Sequence, residues 1–271
     1  MDFHRLSLTQ ENTMQNQSNQ DRVAVVVGGA MGIGAEVCQR LGAAGYTVVV
    51  ADRDMEAAKE RVGQLSATGL RAEAQQIDAG DAASVAQAFS EIESRHARCD
   101  VLVNCAGIAK VFPFLEFPLE NFLATMNVNV TGTLLCAQHA ARLMLKHKWG
   151  RIVNLASVAG QRSVGTGRTA YGTSKGAVIA LTRQMAVELA EHGITANTVS
   201  PGPVDTPMTR VLHTDQFRKE YTHAIPMDRY GSTAEIAAAV MYFVGEEAGY
   251  TTGVDLPVDG GFLASGARKL A

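Results

Sequence analysis

No run of eighteen consecutive apolar residues occurs in the chain, so no segment reads as a helix long enough to cross a bilayer. Nor is there a surplus of one charge: 24 basic against 27 acidic side chains give a formal charge of -3. Without a whole-molecule field, or a basic stripe with interleaved aromatics, nucleic acid and anionic membranes are poor partners, and any anion affinity has to be local. Cysteines number only four, Cys38, Cys99, Cys105 and Cys136, with no C-x-x-C pair. They read as small core hydrophobes in a reducing compartment, not as a disulfide framework. His139 and His147 stand too far apart on one helix to share a metal, and no His-x-x-x-His pair occurs, so no metal site is expected. Residues 1–20 lack the basic start and apolar centre of a signal peptide. They read as a disordered polar tail ahead of one domain over 21–271, in a soluble, cytoplasmic protein.

What the chain does have is 46% apolar residues over 271 positions, enough to bury a sizeable core in one domain. From Arg22 onward, short β-branched runs alternate with longer helical patterns, and the runs are nearly all apolar, as in strands covered on both faces. The pattern predicts strands near 22–27, 46–51, 71–76, 100–104, 149–155, 194–199 and 253–258, with helices near 32–44, 54–67, 81–96, 118–147, 169–192 and 232–245. That order is the signature of an α/β, Rossmann-type doubly wound parallel sheet of about seven strands with helices on both faces. Ligands of such sheets gather beyond the carboxyl ends of the strands. The stretch from Pro201 to Gly231 has four prolines, two histidines and no strong period, and its middle, about 203–229, is expected to be a substrate lid.

Val23-Ala24-Val25-Val26-Val27 runs straight into Gly28-Gly29-Ala30-Met31-Gly32-Ile33-Gly34 and a helix. Missing side chains let backbone approach a pyrophosphate, and the free N–H groups and dipole of the helix start favour its charge. The next strand ends at Asp52, eighteen residues past Gly34, where a carboxylate accepts from ribose hydroxyls and repels a 2′-phosphate. Arg53 follows, but Met31 adds no second cation, so NAD is the expected cofactor. Asp52 has the alternative role of a helix cap. Asp78 after the third strand is placed for the adenine amino group. Asn104, Ala106 and Gly107 after the fourth let a cofactor lie across the sheet edge, although Asp, Asn and Gly equally serve turns.

Tyr171 and Lys175 are four apart on a helical pattern and project from one face. A free phenol, with a pKa near 10, is a poor base at neutral pH, and a close ammonium is expected to pull it down. Ser157, after the strand Ile152-Val153-Asn154-Leu155, can hold a substrate oxygen while Tyr171 exchanges its proton.

With these residues assembled, the sequence from about Asp21 to Phe262 resembles the short-chain dehydrogenase/reductase family. The resemblance is carried by Gly28-x-x-x-Gly32-x-Gly34, Asn104-Cys105-Ala106-Gly107, Asn129 in Asn127-Val128-Asn129-Val130, Ser157, Tyr171-x-x-x-Lys175 and Pro201-Gly202. It implies Tyr171 as general acid/base, Lys175 also on the nicotinamide ribose, Ser157 orienting the substrate oxygen and Asn129 holding a water in a proton relay. It also implies that Val204 and Thr206, after Pro201-Gly202, receive the carboxamide, with Met31 and Ile33 lining the glycine loop. Three departures stand out: Val27 where the family usually has Thr, Cys105 in place of a second Asn, and one extra residue between Ser157 and Tyr171.

The expected activity is hydride transfer between NAD(H) and a secondary alcohol or ketone, with a polyol, hydroxy acid or cyclic alcohol as the small-molecule substrate. A 3-oxoacyl or other ketone reductase using NAD(P)H is the alternative, and a catalytically silent NAD-binding scaffold or sensor is the alternative of a different class. Lys110, Arg162 and Arg168 on the loops flanking the pocket suit an anionic substrate, with plain surface solvation as the other reading. His213 and His223 read as solvated loop positions, and His192 as a helix-end residue. The apolar surplus of 118–147 and 169–192, with the family's habit, points to a homotetramer.

Overall fold

Parallel pairing of fully apolar runs requires both faces of the sheet to be covered, and the computed structural model, which describes Asn19 and residues 21–265, has that form. Strands β1 (Val23–Val27), β2 (Thr47–Asp52), β3 (Ala72–Gln76), β4 (Val101–Asn104), β5 (Gly150–Leu155), β6 (Ile194–Pro201) and β7 (Asp255–Val258) make one parallel sheet in the order β3-β2-β1-β4-β5-β6-β7. From β1 the chain winds outward through β2 and β3, then crosses back to β4 beside β1 and winds the other way. The crevice of a doubly wound sheet opens at that reversal, beyond the ends of β1 and β4.

Alternate residues of each strand feed two separate cores. Val25, Val27, Val49, Leu102 and Ile152 face one layer, formed with helices α3 (Ala82–His96), α5 (Gly132–Leu145) and α6 (Thr169–Leu189). Ala24, Val26, Val48, Val50, Val103 and Val153 face the other, formed with α1 (Gly32–Ala43), α2 (Met55–Ala67) and α9 (Thr233–Val244). Each Val or Ile sealed this way contributes roughly 1.5–3 kcal/mol. The expected continuity of apolar strands breaks at β3, Ala-Glu-Ala-Gln-Gln, because this strand is an edge in which only Gln75 is buried. Cys38, Cys99 and Cys136 are buried in these layers, and all four cysteines are free. Burial pushes the Cys136 thiol up to about 12.

Three features differ from the sequence expectation. The helix read over 118–147 is interrupted: α4 (Leu119–Met126) passes through a π-helical turn, Asn127–Thr131, before α5. The region 201–231 is not structureless, since Thr206 caps a short α7 (Pro207–Leu212) through a capping box with Thr209, and Thr214 caps α8 (Asp215–Ala224). Neither helix buries a residue completely, so neither shows the apolar stripe that marks a helix in a sequence. Finally, Asn19 is buried and donates to the Ala44 carbonyl at 3.0 Å, so it packs on the domain. The rest of the tail read as disordered, residues 1–18 and Gln20, lies outside the described residues, as do 266–271. Among the described residues no helix is long and apolar enough to cross a membrane.

Candidate active site

The glycine loop leaves β1 where no side chain fits. A Cβ on Gly28 would sit 2.6 Å from the Ala106 nitrogen, and one on Gly34 would run into the Gly28 carbonyl oxygen. The loop is thus pressed against β4's exit on one side and the first turn of α1 on the other. Met31, the N-cap of α1, is exposed and offers no side-chain cap, so Gly32, Ile33 and Gly34 begin the helix with N–H groups free for an anion. Val27, which lacks the hydroxyl the family usually has there, is buried in the core. Its carbonyl accepts from Cys105 N at 2.8 Å and Ala106 N at 2.9 Å, so the backbone alone fixes this turn.

Asp52 terminates β2 beside that loop. One carboxylate oxygen accepts from Ala30 N and the other from Asp54 N, both at 3.1 Å. The cap of α2 is Asp54, which accepts from Ala57 N, so the cap role read as an alternative for Asp52 belongs to its neighbour. Arg53 is exposed. Asp78 holds the turn after β3 by accepting from Gly80 N at 2.8 Å. The cradle, the uncapped helix start and the partly exposed carboxylate at Asp52 together fit a dinucleotide.

Asn104 is the last residue of β4, within the strand read over 100–104, and its amide donates to Asn154 Oδ1 at 2.8 Å. Asn154 in turn donates to the Thr182 hydroxyl at 2.9 Å, so the Asn104 amide is buried between strands and helix. Ala106 and Gly107 line the exit instead. A Cβ on Gly107 would lie 3.3 Å from Asn129 Oδ1 and 3.5 Å from Lys175 Nζ. Asn129 sits in the π-helical turn, where its amide clasps Ile108, accepting from the N–H at 2.8 Å and donating to the carbonyl at 3.0 Å. It also donates to the Ser174 hydroxyl at 2.9 Å. The extra helical residue turns Asn129 towards β4's exit, and such π turns often mark functional positions.

Ser157 follows β5 and caps a short turn by accepting from Ala159 N at 3.1 Å. That turn packs directly on α6, because Gly160 leaves room for the backbone at Lys175 and Gly176. Gly160 was not singled out in the sequence, yet a Cβ there would lie 2.6 Å from the Lys175 carbonyl carbon. The approach sets the Ser157 hydroxyl close enough to the Tyr171 phenol to oppose the upward push of burial on it. Lys175 Nζ donates to the Leu155 carbonyl at 2.6 Å and lies 5.7 Å from the Tyr171 ring centre. The expectation that Lys175 would pull the phenol down is not met. Burial pushes the Tyr171 phenol up, and the opposing pulls come from the Ser157 hydrogen bond and the Arg168 charge. Burial likewise pushes the Lys175 amine down to about 8.

The Lys175 shift has a testable sign. In the folded protein the amine loses its proton near pH 8, whereas in the unfolded chain it holds it to 10.5. Between these values the unfolded state binds more protons, so this group makes stability rise with pH. Urea unfolding of wild type and Lys175→Met, compared in steps from about pH 7 to about pH 10, should show wild type gaining on the variant across that window. A pH-independent gap would contradict the assignment.

Pro201 ends β6, and Gly202 continues past it with its N–H on the Val258 carbonyl at 3.0 Å. Val204 is buried and bridged to Gly231. Thr206 uses its hydroxyl as the cap of α7. A Cβ on Gly32 would be 3.8 Å from Thr206 Cβ, which puts the start of the lid against the glycine loop.

The 203–229 segment also corrects the reading of His213, which is buried. Its ring packs on Phe217 at 4.6 Å and on Tyr230 at 6.0 Å, and Tyr221 bridges Phe217, Tyr230 and Phe262. The signal was present as an aromatic at every fourth position, His213, Phe217 and Tyr221, too short to register as a helix face. Of the three cations read as candidates, Lys110 is exposed, Arg162 donates to the Ser265 carbonyl at 3.2 Å, and Arg168 meets His213 Nε2 at 3.0 Å. Arg168 and Gly172 line a depression with Pro113, Phe114 and Gln161. No group of His, Cys, Asp and Glu that could hold a metal occurs among the described residues.

A doubly wound sheet with a glycine cradle at its switch point and a Ser, Tyr, Lys cluster beside it defines a dinucleotide-dependent oxidoreductase class. The chain belongs to the short-chain dehydrogenase/reductase family, which uses a nicotinamide cofactor, and its residues 28–263 match the family model described as enoyl-(acyl carrier protein) reductase. It is 36% identical over 245 residues to a 3-oxoacyl-[acyl-carrier-protein] reductase of Aquifex aeolicus, covering 90% of this chain and 98% of that one. It is 37% identical over 244 residues to an acetoacetyl-CoA reductase of Allochromatium vinosum, covering 89% and 98%. Among solved structures, a gluconate 5-dehydrogenase from Burkholderia cenocepacia in complex with NADP and tartrate superposes with a TM-score of 0.86 at 30% identity, covering 91% of this chain and 98% of that one.

Proposed function

We propose that this oxidoreductase uses NAD to oxidise a secondary alcohol to a ketone, acting on a polyol, a hydroxy acid or a cyclic alcohol. The observation that carries the reading is the gathering of Ser157, Tyr171 and Lys175 at the exit of β5, where Gly160 lets the Ser157 turn sit on the backbone at Lys175 and Lys175 Nζ lies 5.7 Å from the Tyr171 ring, beside a cradle whose β2 edge carries Asp52. When bound, the nicotinamide supplies the hydride acceptor. Ser157 donates its hydroxyl hydrogen to the substrate oxygen and fixes it near the phenol. Tyr171 removes the hydroxyl proton as the carbon–oxygen double bond forms, and in the reverse direction it returns that proton. Lys175, within 5.7 Å of the Tyr171 ring, exerts no pull on the phenol in the protein alone, and its charge is proposed to stabilise the phenolate once cofactor and substrate complete the site. A phenol starts about three units too weak as a base at neutral pH, a deficit of roughly 4 kcal/mol that the ammonium and the serine hydrogen bond have to offset. Asn129 ties Ile108 to Ser174 on the catalytic helix and supports a relay of the proton to solvent. Pro201, Gly202, Val204 and Thr206 form the side of the crevice proposed to take the carboxamide, and Asp78 the side proposed to take the adenine.

A second reading is favoured by the relatives that act on acyl thioesters: reduction of a 3-oxoacyl group with NADPH. The two separate on cofactor. Asp52 places a carboxylate where a 2′-phosphate would have to sit, and that supports NAD. Comparing kcat/KM for an alcohol panel with NAD against a 3-oxobutanoyl thioester with NADPH decides between them; a higher value for the thioester would overturn the alcohol reading. We also propose a cytoplasmic homotetramer, with no membrane or nucleic-acid partner, assembled through α4 and α6. Leu119, Leu123 and Val187 on these helices are 68%, 56% and 77% exposed, and a monomer in light scattering would count against it.

A further inference from the structure

Where the 203–229 segment meets the start of α6, one guanidinium is held in place without a partner charge. Arg168, the residue before α6, joins none of the ion pairs among the described residues. Its guanidinium is nonetheless fixed from two directions: Nη2 meets His213 Nε2 at 3.0 Å, and the group lies 5.4 Å from the Phe217 ring centre. Arginine has only donors, so His213 Nε2 is the acceptor and its proton sits on Nδ1, which donates to Tyr230 Oη at 3.0 Å. Burial, followed by the charges of Arg168 and Arg218, pushes His213 down to about 4. The imidazole is therefore neutral at working pH and orients Arg168 without cancelling its charge.

The neighbouring charges are already committed. Arg218 pairs with Asp205 at 3.4 Å and stacks on Tyr230. The carboxylate of Asp259 is taken by the N–H groups of Gly261 and Leu263 at 2.9 Å and 2.8 Å. Arg168 lines the depression beside Gly172, and its field reaches the phenols of Tyr171, Tyr221 and Tyr230. It stands one helical turn from Tyr171, a pitch of about 5.4 Å. A preoriented, half-buried guanidinium without a counter-charge is costly unless a ligand completes it.

We propose that Arg168 anchors a carboxylate of the substrate, so that the enzyme acts on hydroxy acids and their oxo acids. The inference rests on the reading of Ser157, Tyr171 and Lys175 as the hydride-transfer site. A planar fork with a single positive charge matches a carboxylate in geometry and in charge, whereas a phosphate dianion would call for a second cation.

The test uses matched pairs: a series of oxo acids of increasing length, each beside its methyl ester, with the cofactor present. Wild type should prefer the acid of at least one pair. Arg168→Met should reduce that acid-to-ester ratio of kcat/KM by about ten- to a hundredfold, the range for a hydrogen bond to a charged group. Arg168→Lys, which keeps the charge but loses the fork, should fall between, and it serves if the methionine variant does not fold. Calorimetric titration with the same acids and esters gives the binding ratio independently of turnover. Acid binding that depends on Arg168 without any turnover would overturn the oxidoreductase reading and leave the anion site standing. Equal affinity for acid and ester throughout the series, or a ratio unchanged in the variants, would overturn the proposal.

Discussion

Tyr171→Phe is expected to lower kcat/KM by about 10²–10⁴, the usual worth of a positioned general acid/base, while leaving cofactor affinity nearly unchanged. The change removes one oxygen from a ring that otherwise stays packed against α6 and Lys175. What it deletes is the oxygen proposed to exchange the substrate proton. The phenol is pushed up by burial before anything else acts on it, so its ionisation depends on whatever positive charge and hydrogen bonds the assembled site adds. Titration of NADH by fluorescence, run beside the kinetics, separates loss of chemistry from loss of binding. A variant that binds NADH and turns over as wild type does would remove Tyr171 from the mechanism and favour the scaffold reading.

Asp52→Asn is expected to raise the ratio of NADP to NAD efficiency by about a hundredfold. At about 5 Å and an effective dielectric near 20, a carboxylate and one phosphate charge repel by roughly 3 kcal/mol, which is the origin of that factor. Asparagine keeps one acceptor, enough for the Ala30 N–H that Asp52 holds at 3.1 Å, and gives up the bond from the exposed Asp54 N–H, so the glycine loop retains its anchor while the charge is removed. Efficiencies with the two cofactors at one alcohol concentration measure it. A wild-type enzyme that already prefers NADP, or a ratio that does not move, would place the 2′-phosphate away from Asp52.

Much of this architecture was legible because its causes are local. Val23 to Val27 is an apolar run that only a strand covered on both faces can bury, and Gly28 to Gly34 follows it without a residue to spare. Tyr171 and Lys175 need only a helical period to share a face. Legibility failed where a neighbour from elsewhere in the chain decides the role. Asn104 sits in a motif that also reads as a turn, but Asn154 of β5 accepts from its amide and is itself held by Thr182 of α6. Helix α8 turns only Phe217 and Tyr221 toward a small satellite cluster with Phe262, too short a stripe to announce it. His213 looked solvated because its partners, Arg168 and Tyr230, come from other segments. The π-helical turn at Asn129 also left no periodic trace, since one extra residue in a turn shifts the phase without breaking the helix.

The central claim is that Tyr171, with Ser157 and Lys175, moves the proton while the bound nicotinamide takes the hydride. The most direct measurement follows the near-ultraviolet absorbance of the reduced cofactor when the protein meets NAD and a panel of polyols, hydroxy acids and cyclic alcohols, wild type beside Tyr171→Phe. The account predicts steady formation of NADH from at least one substrate by wild type and its near abolition in the variant. NADH binding without turnover on any substrate in either direction, or turnover indifferent to the phenol, would contradict it.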